Sequence, residues 1–258
     1  MPGLDGLIDA YGVAAVVGAA LAMAAGGFAK GVVGFALPLI GLSLAGSFLP
    51  YQVAVALLIM PMLVSNLFQA LRQGVGPAGE TLRRFWLLNL VLVVMIALAA
   101  QLVVALPDRA LFGLLGVTVS VFGASQLAGW RPRFPPHHRV AVEIGIGIVA
   151  GFFGGLSGIW GPPIVMYLIA SGLPKIDLVR AQSLSFLLGS VVLLLAHLRS
   201  GVLNPVTLPA SAWMVLPTMV AMFVGYRVHD RLDQERFRRL TLAVLVLTGL
   251  NLVRRAVF

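Results

Sequence analysis

The sequence predicts an all-α polytopic membrane protein made of two inverted-topology repeats. Each repeat is a broken, glycine-rich helical hairpin followed by three transmembrane helices. Three observations carry this expectation. The 258 residues are 60% hydrophobic and only 10% charged, with a mean hydropathy of +1.01, whereas a water-soluble domain carries about 25% charged residues. Uncharged runs over 10–29, 31–71, 85–107, 110–130, 144–174, 181–198 and 200–226 supply the ~20 apolar residues that one helical pass needs. They do not alternate in polarity as the strands of a membrane β-barrel do. Finally, a motif occurs twice: GGFAKGVVGFALP over 26–38 and GFFGGLSGIWGPP over 151–163. At an offset of 125 the copies match at Gly26/Gly151, Phe28/Phe153 and Pro38/Pro163, with Phe35 opposite Trp160.

Charges, prolines and glycines set the element boundaries. The N-terminal MPGLDGLIDAYG has no basic region and no evident cleavage site, so the first helix, about 8–29, reads as a retained membrane segment. The run 31–71 has room for a second arm at 32–47 and a pass at 51–71, divided near Pro50. Arg83-Arg84 and Pro107-Asp108 bound a pass at 85–106, and another follows at 109–129. The proline-rich WRPRFPPHHR over 130–139 links the halves. The repeats are therefore 1–130 and 140–258, with 131–139 as a cytoplasmic linker. The second half repeats the plan with a hairpin at 140–155 and 161–172 and passes at 178–198, 208–227 and 238–255.

Lysine and arginine counts orient the chain. With the loops at 72–84, 130–139 and 227–239 placed inside, thirteen basic residues lie on the cytoplasmic side and four outside (Arg109, Arg199, Arg254 and Arg255), the bias the positive-inside rule expects. Each motif-bearing segment must then return to the side it came from, the first opening outward and the second inward. Inverted repeats of this kind support alternating access, with the site at the repeat interface.

The net charge of +9 follows from those basic loops, so nucleic acid is not an expected partner; the bilayer is. The chain has no cysteine, which excludes disulfides and thiolate metal sites. No cofactor or metal is called for, and the number of copies per assembly is left open. Asp5, Asp9, Glu80, Asp108, Asp177, Asp230, Asp233 and Glu235 all fall in loops or termini, and Glu143 lies one turn into its helix. A mid-membrane carboxylate, usual in cation pumps, is missing from this pattern.

Lys30 is the one strongly cationic residue deep in an apolar stretch, with 20 uncharged residues before it and 41 after. A charge there is costly and marks a functional site by default; the competing reading is a lysine that snorkels to an interface. Around the two motif tips, glycines such as Gly34 and Gly158 permit an unwound turn. Helix starts at such breaks bind anions, although small residues also serve plain helix packing. Ser157 is a candidate hydroxyl donor, and Phe35 and Trp160 are candidates to line or gate the cavity. Asn66 and Gln69 share one face of the third segment, and Gln182 and Ser183 open the equivalent helix of the second half. Such groups donate to an oxyanion or hold helices together.

The paired motifs, above all GFFGGLSGIWGPP, resemble the sulfite exporter TauE/SafE family in length, two-repeat layout and both motifs, over nearly the whole chain. The resemblance implies a multi-pass carrier in the bacterial inner membrane that moves small sulfur-containing anions such as sulfite, thiosulfate or organosulfonates. It implies no enzymatic activity. One rival reading takes Gly155-Leu156-Ser157-Gly158 as the GxSG of a rhomboid-like intramembrane serine protease, with His197, the only histidine within an expected span, as its base. Another is a non-transporting membrane scaffold.

Overall fold

The computed structural model describes residues 3–71, 74, 76–129, 134, 138–173, 175–229, 246–247, 249–254 and 256–257. Among the described residues every regular element is a helix. In order they are α1 (Leu4–Tyr11), α2 (Val13–Val33), α3 (Leu37–Ala45), α4 (Tyr51–Leu71), α5 (Gly76–Arg84), α6 (Trp86–Ala99), α7 (Leu102–Ala105), α8 (Asp108–Leu127), α9 (Arg139–Ser157), α10 (Gly161–Ala170), α11 (Lys175–Ser200) and α12 (Thr207–His229). Among the described residues seven stretches are long and apolar enough to cross a membrane: Val13–Val32, Tyr51–Leu71, Trp86–Ala105, Asp108–Ser125, Arg139–Ser157, Arg180–Ser200 and Thr207–Val228. The chain is thus a multi-pass helical membrane protein. Most of the expected last pass at 238–255, the loop at 230–239 and most of the linker at 131–139 lie outside the described residues.

Both expected hairpins form, and both break in the same way. α2 ends where Gly34 turns left-handed at φ 93°, its N–H bonded to Lys30 O. α9 ends at Gly158 with φ 75°, its N–H bonded to Gly154 O. These are glycine C-caps of the αL type, which only glycine adopts without strain. Each returning helix then carries proline in its first turn, where a missing N–H costs nothing. The returning arms are short, nine residues in α3 and ten in α10, or about 14–15 Å. That is half a bilayer core, so the second arms at 32–47 and 161–172 are shorter than expected.

The structure also corrects the register between the halves. Gly34 and Gly158, Leu37 and Gly161, and Tyr51 and Lys175 each stand 124 residues apart, not 125. At that spacing the paired positions are Gly27/Gly151, Phe28/Phe152, Gly31/Gly155 and Pro38/Pro162, with Phe35 over Ile159 and Ala36 over Trp160. The doublet Gly26-Gly27 allowed the slip, because either glycine satisfies a small-residue position.

The long hairpin arms pack crosswise. α2 lies along α12: a side chain on Gly27 or Gly31 would run into the backbone at Thr218 or Met222. α9 lies along α6, where Gly151 and Gly155 press on the backbone near Leu92 and Ile96. Glycines here let helices approach closely without a hydrophobic driving force. Between the hairpins run α4 and α11. Pro61 interrupts the hydrogen-bond ladder of α4, and Ser211 of α12 repairs it by donating to Leu57 O at 3.2 Å while accepting from Met60 N at 3.1 Å. Repair by a neighbouring helix is how prolines are tolerated at membrane depth. Two smaller differences concern connections. α5 is a helix where a loop was expected, and the 85–106 pass carries a break at Ala100-Gln101 between α6 and α7.

Candidate functional site

Lys30 lies in the last turn of α2, one turn before the break and not at the tip itself. Its residue is only 2% exposed, so the ammonium does not snorkel to a surface. It donates to Ser65 Oγ at 2.9 Å and to Asn66 Oδ1, both on α4. Asn66 passes the contact on: its Nδ2 donates to Phe186 O at 3.1 Å and to Ser190 Oγ at 2.5 Å on α11. Ser190 in turn donates to Phe186 O at 2.7 Å. One chain of polar groups therefore joins α2, α4 and α11 through the protein interior. The partners of the ammonium are neutral oxygens. Among the described residues the buried acid is Glu143, which is held elsewhere by Arg139 Nε and Tyr167 OH, each at 2.8 Å.

The first break is lined by carboxamides. Gln182 Nε2 donates to Gly34 O at 3.1 Å. A Cβ placed on Gly34 would lie 3.0 Å from that nitrogen and 3.3 Å from Gln69 Nε2. Gln69 Oε1 is buried with no hydrogen-bond partner among the described residues, and a buried polar atom in that state costs about 1–3 kcal/mol. Ser183 is buried beside Gln182 on α11. The sequence candidates Lys30, Gly34, Asn66, Gln69, Gln182 and Ser183 thus lie together on α2, α4 and α11. Ser65, Phe186 and Ser190 join them unannounced. Only the adjacency of Ser65 to Asn66 could have flagged the first of these.

The second break is built differently. Ser157 Oγ donates to Phe153 O at 2.7 Å and accepts from Ile159 N at 3.2 Å, so its hydroxyl closes the end of its own helix instead of facing a cavity. The Gly34 and Gly158 amides, expected as anion donors, are both consumed by the caps described above. Gly158 faces apolar atoms: a Cβ there would lie 2.6 Å from Met62 Sδ and 3.7 Å from Leu193 Cδ2. Trp160 is buried at the start of α10, its ring 6.3 Å from that of Phe186 and against Gly154 and Gly189.

The tips do come together, through Phe35. A Cβ on Gly161 would lie 3.2 Å from Phe35 Cβ and 3.4 Å from Phe186 Cζ. They are staggered, however. Gly34 sits by Gln69 and Gly158 by Met62, seven residues apart on α4, or about 10 Å. Tyr51 of α4 reaches the second hairpin directly, donating to Leu156 O at 3.0 Å. His197 Nδ1 faces Ser200 Oγ at 3.2 Å on its own helix. The hydrogen bonds of Ser157 and His197 run to separate partners, which gives the protease reading no support.

A family model described as Sulfite exporter TauE/SafE matches residues 19–252 of the chain. Neither the curated proteins nor the solved structures yield a match.

Proposed function

The chain belongs to the sulfite exporter TauE/SafE family, and we propose that it is a secondary transporter for small sulfur-containing anions such as sulfite, thiosulfate or organosulfonates. The observation that carries the anion reading is the buried Lys30 ammonium, whose hydrogen-bond partners are neutral. A lone charge inside a membrane protein costs several kcal/mol. An anion beside it recovers that cost, and in a low-dielectric site the attraction is stronger than in water. Gln69 and Gln182 supply N–H donors from two helices. The choice of sulfur anions rests on the family alone.

In this reading the substrate binds between the first break, α4 and α11, with Lys30, Asn66, Gln69, Gln182 and Ser183 around it. Phe35 and Trp160 separate it from the second break. The halves 1–130 and 140–258 are inverted repeats, and rocking one against the other exposes the site to either side of the bacterial inner membrane. The shared 124-residue spacing, the paired glycine caps and the crosswise packing of α2 on α12 and α9 on α6 support this architecture. The protein is a carrier and not a catalyst.

The decisive experiment is a flux and binding screen in proteoliposomes with sulfite, thiosulfate, sulfoacetate, taurine, sulfate and simple carboxylates. Sulfur oxyanions are expected to bind and move in wild type and not in Lys30→Ala. Selective transport of a metal cation overturns the proposal. Orientation is read separately by cysteine labelling in this cysteine-free chain. Reagent reaching residue 134 or 233 from outside contradicts the inverted arrangement.

A further inference from the structure

A cavity of about 430 Å³ lies away from Lys30 between α8, α9 and α10. Val142, Gly145, Val149 and Phe153 line it along one face of α9, and Val119 of α8 closes the other side. Among the described residues of its wall the one hydroxyl, on Thr118, donates to Leu114 O at 2.7 Å, so none of them demands a polar guest. From Val142 to Phe153 the apolar face runs eleven residues, about 17 Å, close to one leaflet of a ~30 Å hydrocarbon core. Both flanking helices are membrane spans, so the solvent available to this space is lipid.

Two cations stand beyond one end of the cavity, a short run of aromatic rings away. Phe134, which lines it, has its ring 6.0 Å from that of Tyr167, and Tyr167 lies 6.2 Å from Phe85. Over the Phe85 ring stand the guanidiniums of Arg84 and Arg139, at 5.5 Å and 5.8 Å. Arg139 begins α9 one turn before Val142, and its guanidinium donates to Glu143 and to Arg84 O. Its side chain is 49% exposed even though it holds Glu143, and Arg84 is exposed as well. Two reachable cations at one end of a leaflet-deep apolar slot match a molecule with a negative head and a hydrocarbon tail.

We propose that this cavity holds one acyl chain of an anionic phospholipid from the surrounding bilayer, with its headgroup at Arg84 and Arg139. Basic pockets beside transmembrane helices bind such headgroups. The inner end of the slot is formed by Ile159 and Pro162 at the second break, so the lipid braces the hairpin tip that faces away from Lys30.

Native mass spectrometry of the full chain, released from mixed phosphatidylglycerol and phosphatidylcholine bilayers, tests this. Wild type retains one lipid and prefers phosphatidylglycerol. Gly145→Trp fills the slot and loses the retained lipid; a Cβ at residue 145 meets nothing within 4 Å, so the ring enters open space. Arg84→Gln, at an exposed site where folding is not at risk, keeps a lipid but lowers the headgroup preference about fivefold, the worth of one interfacial arginine. Equal retention in Gly145→Trp and wild type overturns the proposal. So does a wild type that holds both lipids without preference.

Discussion

The two helix breaks share a backbone and differ in what surrounds it. At Gly34 and Gly158 the chain uses the same left-handed cap, the same proline-started return and the same cross-packed long arm. Yet the positions around them diverge. Gln69 corresponds to Leu193, Gln182 to Leu58 and Lys30 to Gly154 at the 124-residue spacing. One break is lined by an ammonium and two carboxamides, the other by a thioether and a leucine. Duplicated geometry with unduplicated chemistry fits a single site, not two. In the proposed transporter the first hairpin carries recognition, and the second supplies an apolar counterpart that meets it at Phe35.

The strongest way to break this comparison is Lys30→Met. Removing a hydrogen-bonded buried charge from a binding pair costs about 2–5 kcal/mol of affinity, so anion binding should fall on the order of 100-fold. Relief of the desolvation cost should leave thermal stability at or above that of wild type. A loss of several kcal/mol in stability alongside the loss of binding would make Lys30 a structural tie instead.

The next effect separates the caps. Gly34→Ala and Gly158→Ala should each lose about 1–2 kcal/mol of stability, because both impose a left-handed backbone on a side chain. Only Gly34→Ala also crowds Gln182 and Gln69, so it alone should weaken substrate affinity at saturating lipid. Thermal melts paired with binding isotherms read the two effects apart, and equal affinity losses in both variants would erase the division of labour.

Smaller still is Gln69→Leu, which converts the first break toward the lining of the second. It removes a donor and relieves a buried, unpartnered oxygen. Affinity should drop by about 1–1.5 kcal/mol with stability retained, as measured by competition binding. The smallest expected change is in Ser157→Ala. Loss of a local closing bond should cost about 1 kcal/mol of stability and leave flux untouched. Loss of flux without loss of stability would move Ser157 into the site.

Much of this is legible in the sequence alone. Composition and run lengths gave the helical membrane class, because a bilayer leaves few alternatives. Lys30 stood out because a charge in an apolar run is expensive, and Asn66, Gln69 and Gln182 because amides inside a span need partners. What stayed hidden follows from weaker constraints. Ser65 and Ser190 are small hydroxyls that satisfy themselves on a preceding carbonyl as readily as they bind anything else, so the sequence does not distinguish them. Ser157 looked like a donor to substrate because hydroxyl chemistry cannot reveal its acceptor, here Phe153 O. The register slipped by one because helix contacts require a small residue somewhere in a doublet, whereas the break fixes a single glycine.

The contact between Asn66 and Ser190 joins residues at equivalent positions of the two halves. For halves related by a twofold, such a pair can touch only where the axis passes. In the proposed rocking motion a point on that axis is a fulcrum, about which the far ends of α4 and α11 would sweep widely while this pair scarcely moved. An ammonium hydrogen-bonded to Asn66 would then sit where the molecule is stillest. A cargo held there would be uncovered from one side and then the other without being carried any distance itself.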